Sequence, residues 1–331
     1  MKKYDFIGIG DITNDAFISL NKKSAHIEKK KDGSEEIHLS FGDKVEYDEV
    51  TVVKAVGNSA NASVSASRQG LKTALVSNVG ADDFGKDCIT SIKKEKVDTR
   101  FMKVQAGKAT NYHYVLNYGP ERTILVKHED YTYSMPNIGD EGWIYLSSIG
   151  EKAVGFHKKI TEYVNKNKKI NLVYQPGTFQ IKLGYEKLKH VYKSSTLFFC
   201  NVEESQRILK TKSRDVKLLL KKMKAKGPKI VSITDGRAGA YAYDGKNGYY
   251  MPMYPDPKPP VERTGAGDSF ASTFTGAMAR GKNMAEALEI APINSMNVVQ
   301  HIGAQEGLLP LSKLNYYFRK RPKHYKLKKI I

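Results

Sequence analysis

Short apolar runs alternate with amphipathic stretches along most of this chain, and this alternation constrains the fold more than any other feature. The apolar runs have the length of buried strands: Tyr4–Ile9, Thr73–Val79, Trp143–Ser147, Ile170–Tyr174, Thr196–Cys200 and Lys229–Thr234. The stretches between them show helical periodicity: Ser59–Gln69, Gly85–Lys94, Lys152–Lys166 and Ser213–Lys226. Continuous apolar strands separated by helices are typical of a parallel sheet that is covered on both faces. The sequence therefore predicts a three-layer α/β/α fold with a mostly parallel central sheet.

Two regions depart from this alternation. Residues 12–53 contain several short β-prone runs with Gly and Asp turn signals between them. Residues 100–128 contain Tyr112–Asn117 and Arg122–Lys127 on either side of a turn at Tyr118–Glu121. Both patterns predict antiparallel hairpins. The simplest assembly is a small inserted β-sheet that forms a lid over the strand ends, where ligands of such sheets bind.

The composition allows a large core and excludes several classes of protein. The chain has 331 residues, 40% of them apolar, and no apolar run approaches the ~18–20 residues of a membrane span. Its first residues, Met1–Asp5, lack the apolar stretch of a secretion signal. Cys88 and Cys200 are isolated, which excludes a disulfide scaffold and a cysteine metal site. We therefore expect residues 1–331 to form one domain in a reducing cytoplasm.

The chain is strongly basic, with 54 Lys and Arg against 35 Asp and Glu, for a net charge of +19. The excess is densest in a C-terminal tail, residues 313–331, in which Arg319–Lys329 contains no acid. This tail suits a phosphate-binding surface, but it also suits a solvated lysine-rich surface, and no nucleic-acid-binding motif accompanies it. We expect weak, salt-sensitive binding of polyanions and no specific nucleic-acid partner.

The most informative segment is Val261–Phe270, which reads VERTGAGDSF. From Ala266 onward the pattern is helical, so Gly265 and Gly267 lie where a loop becomes a helix N-terminus. Glycines at such a point let backbone N–H groups approach an anion, and the helix dipole favours negative charge there. The segment therefore predicts an anion site that is formed by the amides of Gly265, Ala266 and Gly267.

Asp268 lies in the first turn of that helix, beside the predicted anion site. A carboxylate against a bound phosphate is unfavourable unless it has a role, and accepting the proton of an attacking hydroxyl is such a role. For Asp268 alone, an acid that complements the helix dipole is the alternative. Thr264–Asp268 taken as a unit favours the catalytic interpretation.

Thr264–Asp268 resembles the C-terminal signature of the ribokinase-like (PfkB) carbohydrate kinases, usually Asp-Thr-x-Gly-Ala-Gly-Asp. The resemblance implies that Asp268 is the catalytic base, and that the amides of Gly265, Ala266 and Gly267 form the anion hole for the transferring phosphate. It also implies a ribokinase-like fold with a β-sheet lid. Similar segments occur over nearly the full chain.

Two N-terminal segments resemble the acceptor site of this family. Gly57–Asn61 is similar to the Gly-Gly-x-x-x-Asn start of the first long helix, with Val56 in place of the first Gly. Asp15 follows the first strand, where the family has a carboxylate that binds two sugar hydroxyls. The resemblance assigns four residues to the acceptor: Asp15, Gly57, Asn58 and Asn61. The two asparagines are equally suited to capping a helix start.

Two later segments resemble the nucleotide and metal sites. Thr234–Gly239 is similar to the Thr-x-Gly-x-x-Gly segment that lines the ATP site. The resemblance places four residues at the nucleotide: Thr234, Gly236, Gly239 and Thr264. Asn201 and Glu204 match Asn-x-x-Glu, which is associated with Mg²⁺, and as oxygen ligands on one helix face they suit that ion. An N-cap Asn with a Glu at N3 explains the same pair equally well.

The chain departs from the family pattern at two further points, and the role of a third residue stays open. Glu262 replaces the Asp that helps to form a monovalent-cation site, so dependence on K⁺ stays open. An Asn that contacts adenine in some members aligns with Pro292, and we take the nearby Asn294 as its replacement, with Asn297 as the alternative. Arg122 in the second hairpin is either a substrate contact or a solvent-facing strand residue.

Two nucleotide-binding motifs are rejected. Gly80–Asp87 nearly forms a Walker A loop, but Asp87 replaces the Ser or Thr that binds Mg²⁺, and Asp82 and Asp83 would repel phosphates. Tyr4–Gly10 begins like a dinucleotide fold, but no Gly-x-Gly-x-x-Gly follows. We expect neither a P-loop NTPase nor a dinucleotide-binding protein.

Together these features predict an ATP-dependent, Mg²⁺-requiring kinase that phosphorylates a hydroxymethyl group of a sugar. An adenosine-type nucleoside kinase is the alternative within the family, and a non-catalytic nucleotide- or polyanion-binding protein is a further one. We also expect a homodimer through the lid, because a small sheet leaves edges that need cover.

Overall fold

Strands and helices alternate along the part of the chain that the computed structural model describes, residues 4–119 and 121–331. The strands are β1 (Phe6–Ile9), β2 (Thr13–Leu20), β3 (Ala25–Lys29), β4 (Glu35–Leu39), β5 (Tyr47–Val56), β6 (Thr73–Gly80), β7 (Met102–Gln105), β8 (Tyr112–Tyr118), β9 (Glu121–Leu125), β10 (Glu141–Leu146), β11 (Lys169–Tyr174), β12 (Ser195–Asn201), β13 (Ile230–Thr234), β14 (Ala240–Tyr243), β15 (Gly248–Met251) and β16 (Lys328–Lys329). The helices are α1 (Asn58–Arg68), α2 (Asp83–Lys94), α3 (Val154–Lys166), α4 (Thr178–Leu183), α5 (Tyr185–Ser194), α6 (Val202–Leu209), α7 (Val216–Ala225), α8 (Ala266–Ala279), α9 (Met284–Val298) and α10 (Leu311–Arg319).

A ten-stranded sheet forms the centre of the described structure, in the order β16-β15-β14-β13-β12-β11-β10-β1-β6-β7. From β7 to β13 neighbouring strands pair in parallel, and β14, β15 and β16 are antiparallel to their neighbours. The six strands predicted from apolar runs all lie in this sheet. The predicted α/β fold with a mostly parallel sheet is therefore confirmed.

Helices cover both faces of the large sheet because alternate side chains of its strands point to opposite sides. On one face Ile7 and Ile9 of β1 pack with α3, α5 and α7, and on the other Phe6 packs with α1, α8 and α9. A Cβ on Gly8 would lie only 2.3 Å from the Ser63 hydroxyl, so α1 crosses β1 at close range. This close crossing brings the N-terminus of α1 to the same edge of the sheet as the N-terminus of α8.

A smaller sheet, with the order β5-β2-β8-β9, is built from the two inserted regions, and we call it the lid sheet. Both of its hairpin pairs are antiparallel, but β2 and β8 pair in parallel, which links the two inserted regions. The strands β3 and β4 form a separate hairpin, and β7 joins the edge of the large sheet instead of the lid. In the predicted turn at 118–121, Pro120 lies outside the described residues.

The lid is joined to the body by a short segment with unusual backbone angles. Ala55 and Gly57 have φ values of 60° and 117°, and a Cβ on Gly57 would lie 2.6 Å from the carbonyl oxygen of Asp11. Gln305 donates to the carbonyl oxygen of Ala55 at 2.8 Å and to Asn61 Oδ1 at 3.0 Å. The end of β5, the start of α1 and the loop after α9 are therefore held together where the lid meets the body.

The basic C-terminal segment is folded onto the body. Residues 313–331 include most of α10 and the edge strand β16, and the backbone of Ile331 accepts a hydrogen bond from Gly248 at 3.1 Å. None of the helices in the described residues is both long and apolar enough to cross a membrane.

Candidate active site

A cavity of about 380 Å³ lies between the lid and the carboxyl edge of the large sheet. It is lined by eleven of the residues that the sequence assigns to a site: Asp15, Gly57, Asn58, Asn61, Asn201, Glu204, Thr234, Thr264, Gly265, Gly267 and Asp268. They come from the lid, from the N-termini of α1 and α8, and from the ends of β12 and β13. Residues that are distant in sequence thus meet around one open space of the size of a small-molecule site.

Asp268 is held in place by three side-chain amides. Its Oδ1 accepts from Asn58 Nδ2 at 2.7 Å and from Gln175 Nε2 at 3.0 Å, and its Oδ2 accepts from Asn61 Nδ2 at 2.8 Å. The side chain is only 6% exposed, although it borders the cavity. A carboxylate has about four acceptor positions, so these bonds leave capacity for a hydroxyl.

The surroundings of Asp268 tune its basicity. Burial raises the pKa of its carboxyl group, because desolvation disfavours the charged form, and the hydrogen bonds from Asn58, Asn61 and Gln175 offset part of this increase. A carboxylate that is stronger as a base than a solvated Asp is suited to accept a proton from an alcohol.

The glycine turn before Asp268 has the geometry that an anion site needs. Gly265 precedes α8 with φ of 79°, and a Cβ there would lie 2.5 Å from the Cβ of Ala304. At Gly267 a Cβ would have only Gln175 Nε2 nearby, at 3.8 Å, so this position is open. The first N–H groups of α8 lack helical partners and carry the positive end of the helix dipole. Gly265 is therefore required by the backbone, whereas Gly267 leaves room for a ligand.

A second cavity of about 130 Å³ adjoins the first. Its lining includes the predicted nucleotide residues Thr234, Gly236 and Gly239 together with Ala266 and Gly267. The two cavities share Thr234, Gly267 and Phe270. Two ligands bound in these spaces would therefore meet at the N-terminus of α8, beside Asp268.

Asn201 and Glu204 form a capping box at the start of α6. Asn201 Oδ1 accepts from the backbone N–H of Glu204 at 2.7 Å, and Glu204 Oε2 accepts from that of Asn201 at 2.9 Å. Both side chains also line the larger cavity, and burial raises the pKa of Glu204. Residues 4–119 and 121–331 contain no group of three or more His, Cys, Asp or Glu side chains that could hold a metal ion. Because each side chain has one oxygen in the capping box, the pair is better suited to an ion that keeps most of its waters, such as Mg²⁺, than to one bound by protein ligands alone.

The adenine assignment of Asn294 is wrong. Its side chain is fully buried, donates to Ser65 and Thr273, and accepts from the backbone N–H of Leu309. Pro292, which does line the second cavity, lies two residues earlier in α9. Two residues correspond to about 200° around a helix, so Asn294 points into the core on the opposite side.

Sequence reasoning missed Gln175 and His113. Gln175 directly follows β11, and polar residues at the ends of parallel strands are a signal that could have identified it. His113 lies on β8 of the lid with its Nδ1 at 3.3 Å from Asp15 Oδ1. Arg122, which the sequence left between two interpretations, lines the larger cavity.

Glu262, at the position of the expected cation-site Asp, is bonded within the protein. Its carboxylate accepts a hydrogen bond from the backbone N–H of Gly303 and lies 3.3 Å from Thr264 Oγ1. Burial raises the pKa of Glu262. The carboxylate therefore ties the loop before α8 to the loop after α9.

Comparison with known proteins identifies relatives of this chain. The model of the pfkB family carbohydrate kinases matches residues 31–311, well over half of the chain. Ribokinase from Bacillus subtilis (strain 168) is 26% identical over 261 residues, which cover 76% of this chain and 83% of that protein.

Solved structures share the fold. The nucleoside kinase of Methanocaldococcus jannaschii matches with a TM-score of 0.78 at 16% identity, over 97% of this chain and 99% of that one. Ribokinase of Arabidopsis thaliana, solved with ribose and ATP, matches with a TM-score of 0.77 at 17% identity, over 96% of this chain and 99% of that one. The chain therefore belongs to the pfkB family of carbohydrate kinases.

Proposed function

We propose that this protein transfers the γ-phosphoryl group of ATP to a hydroxymethyl group of a sugar. The observation that carries the proposal is the place of Asp268, a buried carboxylate with three amide partners at the junction of two cavities. A base at the meeting point of two ligands is the arrangement that phosphoryl transfer to an alcohol requires. The ribose and ATP in the Arabidopsis ribokinase structure agree with this choice of substrates.

In the proposed mechanism the acceptor occupies the larger cavity, with its reacting hydroxyl at Asp268. Asp15 binds further hydroxyls from the lid side, and Asn58 and Asn61 hold the base in position. The acceptor oxygen attacks the γ-phosphorus, its proton passes to Asp268, and the bond to the bridging oxygen of ADP breaks. The amides of Gly265, Ala266 and Gly267 stabilise the charge that develops on the transferring group.

ATP would extend from the glycine turn into the second cavity, along Thr234, Gly236 and Gly239. When bound, Mg²⁺ neutralises phosphate charge. Asn201 and Glu204 would hold it through water, since each already has one oxygen in the capping box. The protein's own part is to orient the phosphates and to exclude water when the lid closes.

A nucleoside acceptor is the second candidate. Phe17 lines the acceptor cavity, where its aromatic ring could contact the base of a nucleoside. The fold of the M. jannaschii nucleoside kinase matches over nearly the whole chain. Sugars and nucleosides both present a hydroxymethyl group, so the reaction at Asp268 would be the same.

A panel assay tests the proposal and separates its two versions. The purified protein is incubated with ATP and Mg²⁺ and with ribose, fructose, tagatose, adenosine or cytidine, and ADP and product mass are measured. A product heavier by one phosphoryl group with a sugar supports the first version, and one with a nucleoside only supports the second. No acceptor-dependent ADP release across such panels contradicts both. A potassium titration in the same assay addresses the role of Glu262.

We also propose that residues 1–331 act as one kinase domain, with lid segments at about 12–53 and 100–128, and that two copies associate through the lid. The outer face of the lid sheet carries four apolar side chains that are each about half exposed: Val50, Val52, Tyr114 and Leu125. Apolar surface of this kind favours a protein interface. A monomer mass in light scattering of the purified protein would contradict this.

A further inference from the structure

Arg122 lies on the cavity-facing side of the lid sheet. The register pairs Asp15 with His113 and, four residues along, Ser19 with Asn117 and Asn117 with Arg122. Side chains an even number of residues apart along a strand share a face, so Arg122 is on the same side as Asp15 and His113. Its row is four residues along β2 from Asp15, about 13 Å at the backbone. From there the long side chain reaches the cavity, which it lines.

The guanidinium of Arg122 is uncommitted. Within residues 4–119 and 121–331 it makes neither an ion pair nor a hydrogen bond. The acid that it influences is Glu262, whose pKa is raised by burial and lowered in part by Arg122. That carboxylate already binds the N–H of Gly303. Arg122 therefore faces the acceptor space with five donors and no fixed partner.

The Arg122 side chain is exposed, so its charge is solvated in this structure. A neutral acceptor would offer it no counter-charge, whereas an anionic acceptor in the same cavity would pair with it directly. The other arginine of the cavity, Arg263, also lines a third space with Gly236 and Asp256 on the nucleotide side. The phosphates of ATP can therefore account for Arg263 but leave Arg122, on the lid sheet, without a role.

We propose that the acceptor carries an anionic group, a phosphate monoester or a carboxylate, at the end away from its reacting hydroxyl, and that Arg122 binds it. This inference rests on the proposed function and narrows its substrate class. Guanidinium binds both anions through paired N–H donors, so the shared chemistry is a planar, bidentate contact. Arg122 is then a specificity residue, because it touches the substrate far from the transferred phosphoryl group.

Matched acceptor pairs test the inference in the full-length protein. Ribose and ribonate share the C5 hydroxymethyl group, and ribonate has a carboxylate in place of the C1 aldehyde. Fructose and fructose 6-phosphate both keep the C1 hydroxymethyl group, and the second adds a phosphate. The value of kcat/KM is measured for all four, and the binding of ribonate and of fructose 6-phosphate without ATP is measured by calorimetry. The variants are Arg122→Gln, Arg122→Lys and, as a control, Lys127→Gln, an exposed cation that lies outside the cavity lining.

We expect at least one anionic acceptor to exceed its neutral partner in kcat/KM. Arg122→Gln should lower that value by ~10- to 100-fold, as expected for loss of a charge-assisted hydrogen bond, and should change the neutral acceptors little. The kcat/KM of Arg122→Lys should lie between those of the wild type and Arg122→Gln, since lysine keeps the charge but lacks the paired N–H donors of guanidinium. The kcat/KM of Lys127→Gln should match that of the wild type. A loss of kcat/KM with ribonate would identify carboxylate as the preferred group, and a loss with fructose 6-phosphate would identify phosphate.

Three results would overturn the inference. Equal losses for charged and neutral acceptors would make Arg122 a lid contact to Glu262 or a contact to ATP. A kcat/KM for the anionic acceptors no higher than for their neutral partners would contradict the inference. Equal calorimetric affinity of the wild type and Arg122→Gln for the anionic acceptors would contradict it as well. If the wild type phosphorylates nothing but binds an anionic sugar through Arg122, the proposed function fails and the inference stands.

Discussion

Burial raises the pKa of Asp268 and its amide partners offset part of that increase, so removing one partner is a quantitative test of the site. Asn58 makes the shortest of the three hydrogen bonds, 2.7 Å from its Nδ2 to Asp268 Oδ1. A hydrogen bond to a charged group contributes ~1.5–3 kcal/mol, and 1.36 kcal/mol corresponds to one pKa unit. Asn58→Ala should therefore raise the pKa of Asp268 further, beyond the increase that burial causes.

The sign of the effect follows from the role of a base. Asp268 acts only when it is deprotonated, so a higher pKa extends the inactive range upward in pH. The acid limb of kcat should move to higher pH in Asn58→Ala, and turnover should recover towards the wild-type value as the pH rises further. Assays at saturating ATP and acceptor separate this shift from any loss of acceptor affinity.

Asn21→Ala is the matched control. Asn21 Nδ2 also donates to a carboxylate, that of Asp48, at 2.7 Å, but this pair is exposed on the lid. We expect no shift of the pH profile in the control. An acid limb at the wild-type position in Asn58→Ala, with turnover lowered equally at every pH, would refute the assignment of Asn58 as a partner that tunes the base.

Two further pairs of variants separate structural from functional roles. Gly265→Ala should lower the melting temperature, because its Cβ would clash with Ala304 and the backbone has a positive φ. Gly267→Ala should keep the melting temperature and lose turnover, because its Cβ fills only the ligand space. Equal melting temperatures of the two variants would contradict this distinction. Asn201→Ala should lose about 1 kcal/mol of unfolding free energy by breaking its capping box and should also raise the Mg²⁺ concentration needed for activity. Asn283→Ala breaks the similar capping box of α9 and should lose similar stability without any change in Mg²⁺ requirement; an equal change in both variants would remove Asn201 from the metal site.

Local chemistry made the sheet and the glycine turn predictable. Buried parallel strands need continuous apolar runs, so segments such as Thr73–Val79 coincide with β6 to within one residue. The turn was predictable because few residues other than glycine fit the backbone at position 265, where φ is positive and Ala304 is close. In both cases a short stretch of sequence contains the whole physical constraint.

Contacts between distant segments were not predictable in the same way. Gln175 meets Asp268 across 93 positions, and β2 pairs with β8 in parallel, and neither leaves a local pattern. The assignment of Asn294 was wrong for a different reason. Asn294 is only two residues from Pro292, but two residues along a helix place its side chain on the opposite side. Asn201 and Glu204 were ambiguous because a capping box and a pair of cavity-facing oxygens require the same two residues at the same spacing.

We propose that Asp268 acts as the base for phosphoryl transfer between the two cavities, and one substitution isolates this role. Asp268→Asn keeps the shape of the side chain and removes its ability to accept a proton. With an acceptor that the wild type phosphorylates, turnover should fall by ~10²–10⁴-fold, the range for loss of a general base, while the Kd for ATP stays nearly unchanged. Turnover near the wild-type level in this variant would contradict the account.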